Sequence, residues 1–172
     1  KYIFDTNENT TTIILVPTIT LINQWLSILE AIGIKGFEWS TNIESLDNYF
    51  ANPDKSVLVT IYSRFTDQYE KYYSKIRIVK PNIVIIADEC HNLYSMLDHF
   101  ERFNTLVNKM GKKIFNVGLS ATISSFKENE VNRYISMMGG DSNVFEISLS
   151  SFYSLWNDQN EMPCLKQIMY IP

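Results

Sequence analysis

The sequence is poor in glycine, cysteine and long apolar runs, and each shortage excludes a class of structure. Its six glycines do not form the GxxxxGK[ST] pattern, so these residues contain no P-loop to cradle nucleotide phosphates. The two cysteines, Cys90 and Cys164, support neither a disulfide framework nor a metal-ligand pattern. No apolar stretch approaches the roughly 20 residues of a membrane span, and no signal peptide is visible, so we expect a cytoplasmic protein.

Positive charge is not in excess either. Fifteen basic and nineteen acidic residues give a formal net charge of −4, which is not the basic footprint of a typical nucleic-acid-binding protein. A narrow contact strip stays compatible with this balance. The length of 172 residues and the 45% hydrophobic content fit one globular domain with a substantial core.

Strand-like and helix-like segments alternate along the chain, which predicts an α/β fold with a parallel sheet. Gly33 and Gly111 are placed to end helices, and Thr18 or Thr20 can cap the first helix. The predicted strands are 12–16, 34–38, 57–61, 83–87, 114–119 and 144–149, and the predicted helices are 21–32, 44–50, 63–76, 97–110 and 127–138.

Residues 83–92, Ile-Val-Ile-Ile-Ala-Asp-Glu-Cys-His-Asn, are the most informative stretch. An apolar, β-branched run ends in two carboxylates, Asp88 and Glu89, at the edge where open parallel sheets bind ligands. Adjacent carboxylates at such an edge suit a magnesium–phosphate site. Three other predicted strands also end in polar residues, and in a parallel sheet all four endings lie on one edge. These endings are Pro17-Thr18, Thr60, Asp88-Glu89 and Ser120 to Thr122.

Several short motifs resemble those of superfamily 2 helicases and follow the family's order. Residues 88–91, Asp-Glu-Cys-His, resemble the Walker B box, and residues 118–122 resemble the Ser-Ala-Thr motif. Residues 14–18 with Gln24-Trp25 resemble the first nucleic-acid motif, and residues 57–62 are a weaker match to a second one. The Gln-Trp pair and the Asp-Glu-Cys-His box favour the branch that holds restriction-enzyme translocating subunits and XPB-like repair helicases.

The resemblance implies a three-layer RecA-like parallel sheet with helices on both faces, truncated at its N-terminus. In that interpretation residues 1–150 are a partial first motor domain that lacks its P-loop, and residues 151–172 lead toward a second RecA-like domain. The P-loop is then expected upstream in the parent gene. A natural loss of the P-loop is the alternative.

The resemblance also assigns roles at the acidic box. Asp88 is expected to hold Mg²⁺ through water beside ATP, and Glu89 to orient the attacking water. His91 would link the nucleotide site to the Ser-Ala-Thr motif or to the second domain. The hydroxyl-bearing motif Ser120, Ala121 and Thr122 would relay the nucleotide state toward nucleic acid. The simpler alternative for the acid pair is a helix start favoured by the helix dipole.

Nucleic-acid contacts are expected at Pro17, Thr18 and Thr60, through amides and hydroxyls that touch phosphates. The alternative is that these residues only stop strands and cap helices. Trp25 is predicted to pack its helix onto the sheet rather than to stack on a base. The same packing role is predicted for a tyrosine cluster, which comprises Tyr62, Tyr69, Tyr72 and Tyr73.

Taken together, the resemblance implies part of an ATP-dependent nucleic-acid helicase or translocase that uses ATP and Mg²⁺. Its expected partners are nucleic acid, with DNA favoured over RNA, and a second RecA-like domain of the same chain, with no membrane. Two other functions fit the same residues: a nucleic-acid-binding module that has lost its ATPase, and an ATPase that acts as a protein-remodelling switch.

Overall fold

The computed structural model describes residues 10–39, 47–49, 56–67 and 82–120, and it leaves the side chains of residues 93–95 undescribed. Residues 1–119 form one compact unit and residues 120–172 a second, and every element described below lies in the first. In chain order these elements are β1 (Thr10–Val16), α1 (Ile19–Ala31), β2 (Lys35–Glu38), β3 (Ser56–Ile61), β4 (Asn82–Asp88), a 3-10 helix (Cys90–Met96), α2 (Leu97–Lys109) and β5 (Lys113–Leu119).

The predicted elements within the described residues are confirmed, with ends that differ by a few residues. Residues 47–49 and 62–67 are helical, inside or beside two of the predicted helices. The 3-10 helix was not predicted. The predictions for residues 121–172, which include Ala121, Thr122, a helix, a strand and the exit segment, lie outside the described residues.

The five strands form one sheet in the order β2-β3-β1-β4-β5, and every neighbouring pair is parallel. This confirms the predicted parallel α/β architecture. β1 and β4 are central, and their residues are β-branched or otherwise apolar over most of their length. Such strands suit a sheet that is covered on both faces.

Helix α1 packs on one face of the sheet because its apolar residues recur at helical spacing. Ile22 and Leu29 of α1 are buried against alternate residues of β1 and β3. The strand residues in this cluster are Ile14, Val16, Val57 and Val59, with Ile61 and Ile86 partly buried beside them. The side chains that alternate with these, including Leu15, Leu58 and Ile85, are buried as well.

A second apolar cluster is aromatic. The ring of Phe65 lies 5.5 Å from that of Phe100 and 5.0 Å from that of Phe103, measured between centroids, and both partners belong to α2. Trp39 packs edge-on against Phe65 at 5.9 Å. All four side chains are almost fully buried. Helical residues 62–67, which carry Phe65, are therefore fixed next to the carboxyl end of β3.

Both long helices end in the same glycine-dependent motif, as predicted. Gly33 follows α1 with φ of 73°, and Gly111 follows α2 with φ of 70°. The N–H of Gly33 binds the carbonyl of Glu30, and the next N–H, that of Ile34, binds the carbonyl of Leu29. This bonding pattern is the Schellman motif, and its left-handed residue favours glycine, which has no Cβ.

Strand β5 keeps an apolar row exposed. Phe115, Val117 and Leu119 are 53%, 38% and 37% exposed, and they are level with Val84, Ile86 and Asp88 of β4. The row therefore shares the sheet face on which α1 packs.

In the part of the chain that is described, no helix is long and apolar enough to cross a membrane.

Candidate nucleotide and magnesium site

The carboxyl ends of the central strands form one edge, as the sequence predicted. Ala87 of β4 is level with Leu15 of β1, and Leu15 is level with Thr60 of β3. On the other side Asp88 is level with Leu119 of β5. The carboxyl ends of β3, β1, β4 and β5 are therefore neighbours along this edge of the sheet.

The Asp88 carboxylate is held by two hydrogen bonds from different parts of the chain. The indole N–H of Trp25 in α1 donates to Oδ2 at 2.8 Å, and the backbone N–H of Glu89 donates to Oδ1 at 3.1 Å. Asp88 follows Ile86 by two residues, so its side chain points to the face covered by α1, where Trp25 can reach it. The two donors fix the plane of the carboxylate, and each oxygen keeps a lone pair for another ligand.

The backbone of Asp88 is held as well. The hydroxyl of Tyr62 donates to the Asp88 carbonyl oxygen at 2.6 Å. Burial raises the pKa of the Tyr62 hydroxyl, and the acidic groups at residues 88–90 raise it further. Tyr62 is therefore a neutral hydrogen-bond donor at ordinary pH.

Glu89 has a left-handed backbone, with φ of 50° and ψ of 51°, and it is the one non-glycine residue with positive φ in the described part of the chain. This conformation costs about 1–2 kcal/mol for an L-residue. It turns the chain from β4 into the 3-10 helix. The Glu89 carbonyl accepts hydrogen bonds from the backbone N–H and the side-chain amide of Asn92, both at 2.9 Å. Strain of this kind, held by neighbours, is typical of functional positions.

The Glu89 carboxylate is 41% exposed and lies 3.3 Å from Nδ1 of His91. The other ring nitrogen of His91 lies 3.2 Å from the Asn92 side-chain amide. The tautomer with its proton on Nδ1 satisfies both contacts, since the amide can donate to Nε2. His91, Glu89 and Asn92 thus form a small polar group beside Asp88.

The N-terminus of α1 lies at the same edge. Pro17 follows β1, and Thr18 occupies the N-cap position, but its side chain makes no capping hydrogen bond. Thr18 is therefore the N-cap residue, one of the two positions that the sequence offered, although its hydroxyl makes no capping bond. Thr18 and the first helical residues, Ile19 and Thr20, are exposed, and the first amides of a helix have no partner within the helix.

Thr60 differs from the other predicted nucleic-acid contacts. It is fully buried, and its hydroxyl donates to the Trp39 carbonyl at 3.1 Å. The guanidinium of Arg64 donates to the same carbonyl at 2.6 Å. A direct phosphate contact from the Thr60 hydroxyl does not fit this geometry, and the residue instead fixes the end of β3.

Sequence comparison decides the family. A model of the family described as "Type III restriction enzyme, res subunit" matches residues 1–125. The chain belongs to this family. No curated protein matches its sequence.

Solved structures agree on the fold of this chain. The helicase domain of Pyrococcus furiosus Hef superposes with a TM-score of 0.60 at 15% identity, over 81% of this chain and 29% of that one. Mss116p, solved with single-stranded RNA and AMP-PNP, gives a TM-score of 0.54 at 20% identity, over 78% of this chain and 28% of that one. The resemblance to superfamily 2 helicases and the RecA-like fold are confirmed. The chain spans under a third of either structure's length.

The donors at this edge of the sheet fit magnesium held jointly with a ligand. Among the described residues no group of three or more His, Cys, Asp or Glu side chains could hold a metal alone. Magnesium in phosphate sites needs less, since one or two carboxylates act together with water and phosphate oxygens. Asp88 supplies such a carboxylate, half-buried and oriented by two donors.

Sequence reasoning missed three residues of this site: Trp25, Tyr62 and Asn92. Trp25 does pack against the apolar cluster under α1, as predicted, but it also binds Asp88. A tryptophan on the buried side of a helix next to a strand end needs a partner for its N–H, which could have indicated this contact. Tyr62 was grouped with the other tyrosines, although it directly follows β3.

Proposed function

We propose that this chain is the core of the first motor domain of an ATP-dependent nucleic-acid helicase or translocase. The observation that carries the proposal is the placement of Asp88 and Glu89 at the carboxyl edge of a RecA-like sheet. Membership of the restriction-subunit family supports it, as does the likeness in fold to a protein solved with AMP-PNP and RNA.

In the proposed reaction, residues of this chain would bind Mg²⁺ and orient the attacking water. Asp88 would hold Mg²⁺ through water, and the metal would neutralise charge on the ATP phosphates. Glu89 would orient the attacking water, which its exposure allows. The contact with His91 would set the direction of the Glu89 carboxylate, since the two groups lie 3.3 Å apart.

Nucleic acid would bind at the N-terminus of α1, through Pro17, Thr18 and the first amides of the helix. The exposed, uncapped N-terminus supports this, because amides at a helix start attract phosphate. The net charge of −4 favours a narrow contact strip over a broad basic surface. We propose DNA rather than RNA as the substrate, in line with the restriction-enzyme family.

The test is ATPase activity of the protein expressed from its complete open reading frame. We expect turnover that requires Mg²⁺ and is stimulated by DNA more than by RNA. The isolated 172-residue chain should be inactive, because it contains no P-loop lysine. Turnover by the isolated chain would contradict the assignment of the site. Turnover of the complete protein without stimulation by DNA or RNA would support a protein-remodelling ATPase instead.

A further inference from the structure

Trp25 links two parts of the domain that sequence reasoning kept separate. It sits in α1, the helix whose N-terminus is the proposed nucleic-acid contact, and its indole N–H binds Oδ2 of Asp88 at 2.8 Å. The bond joins residues 63 positions apart. The indole also packs in the apolar cluster between α1 and the sheet, so its position depends on that of the helix.

We propose that Trp25 is a positioning residue that holds the Asp88 carboxylate in the orientation needed to take Mg²⁺. This inference rests on the proposed ATPase function. A hydrogen bond to a metal-binding group restricts its rotation, and losing such a partner typically costs about 10–100-fold in metal affinity or activity. Tyr62 has a different role, because its hydroxyl donates to the backbone carbonyl of Asp88 and not to the carboxylate.

The first experiment detects the bond without relying on activity. Indole N–H resonances of the ¹⁵N-labelled complete protein are recorded, and Trp25→Phe identifies the Trp25 signal by its loss. Asp88→Asn should shift that signal, since it removes the charge from the acceptor. Glu89→Gln is the matched control and should leave the signal in place, because only its backbone N–H contacts Asp88. An indole N–H resonance of Trp25 that does not shift in Asp88→Asn would overturn the proposal.

The second experiment measures the magnesium requirement. ATPase is followed at saturating ATP while free Mg²⁺ is varied. Trp25→Phe should raise the Mg²⁺ concentration for half-maximal activity by about tenfold, with little change in the ATP requirement at saturating Mg²⁺. Trp39→Phe makes the same change at a buried tryptophan of the aromatic cluster. It should lower stability and leave the magnesium requirement unchanged.

The outcomes separate this inference from the proposed function. A protein without ATPase would remove the proposed function, while the indole experiment would still report on the bond. An unchanged magnesium requirement in folded Trp25→Phe would overturn the positioning role alone. A lower magnesium requirement in Trp25→Phe would also overturn it, because the bond from Trp25 would then hold Asp88 in an orientation that weakens magnesium binding.

Discussion

Nδ1 of His91 lies 3.3 Å from a carboxylate oxygen of Glu89, two residues earlier in the turn that follows β4. The left-handed backbone of Glu89 lies in this turn, between β4 and the 3-10 helix. His91 contacts the Glu89 carboxylate and the Asn92 side-chain amide. A link from His91 to the Ser-Ala-Thr motif or to a second domain stays a prediction.

Glu89→Gln in the complete protein should retain ATP binding and lose hydrolysis. The amide has nearly the same shape but cannot accept a proton from water. Asp88→Asn should instead weaken magnesium-dependent nucleotide binding, because a neutral amide is a poorer magnesium ligand. Equilibrium binding of a fluorescent nucleotide, with and without Mg²⁺, and steady-state ATPase distinguish the two variants. Near-normal turnover in Glu89→Gln would exclude Glu89 as the water-orienting group.

Ser120→Ala combined with Thr122→Ala should spare much of the basal ATPase and impair movement on nucleic acid. Ser120 directly follows β5, the strand that pairs with β4 and its Asp88. Each lost hydrogen bond costs about 1 kcal/mol, which can unbalance a switch without unfolding the domain. ATPase and translocation are measured on the same preparation. Parallel loss of both activities in a folded protein would mean direct support of catalysis.

Gly36→Val should destabilise the domain by about 1–3 kcal/mol, because helix α1 passes close over β2. A Cβ at Gly36 would lie 2.6 Å from Cδ2 of Leu26 and 3.1 Å from Cδ1 of Leu29. Gly36→Ala should cost less, since the end of the Leu26 side chain can shift. Urea unfolding monitored by circular dichroism gives the free energies. Leu26→Ala should reduce the cost of Gly36→Val, and additive losses would place the cause elsewhere.

Alkaline solution should destabilise the fold, starting above pH 10. Burial raises the pKa of the Tyr49 hydroxyl above its ordinary value of 10.0, so the folded protein keeps this group neutral while the unfolded chain ionises. The stability that Tyr49 contributes is thus complete below pH 10 and falls as pH rises toward the folded-state pKa, by about 1.4 kcal/mol per pH unit. Tyr49→Phe should flatten this slope in urea titrations between pH 9 and 11. An unchanged slope would show that other groups dominate.

The sequence specified the sheet well because its strands are short apolar runs with clear limits. Residues 83–87, for example, were predicted as a strand, and Asn82–Asp88 form one. The glycine-ended helices were equally clear, since Gly33 and Gly111 each supply the left-handed residue of a Schellman motif. Local chemistry decides these features, so a single sequence is sufficient to predict them.

The hydrogen bonds around Asp88 could not be predicted in the same way. The contact of Asp88 with Trp25 depends on the position of α1 relative to the carboxyl end of β4. The contact with Tyr62 depends on the residue at which the helical segment after β3 begins. Thr60 shows the same limit, because its position at a strand end suggested a phosphate contact, whereas the fold buries it and its hydroxyl donates to the Trp39 carbonyl. Contacts of this kind arise from packing between distant segments rather than from a local pattern.

The apolar row on β5 has a consequence for handling the isolated chain. Phe115 and Val117 are exposed on the strand that pairs with β4, and Leu119 continues the row. An exposed apolar row is the kind of surface through which separate copies associate. Val117→Lys would put a charge on that row and should give a more monodisperse preparation in size-exclusion chromatography.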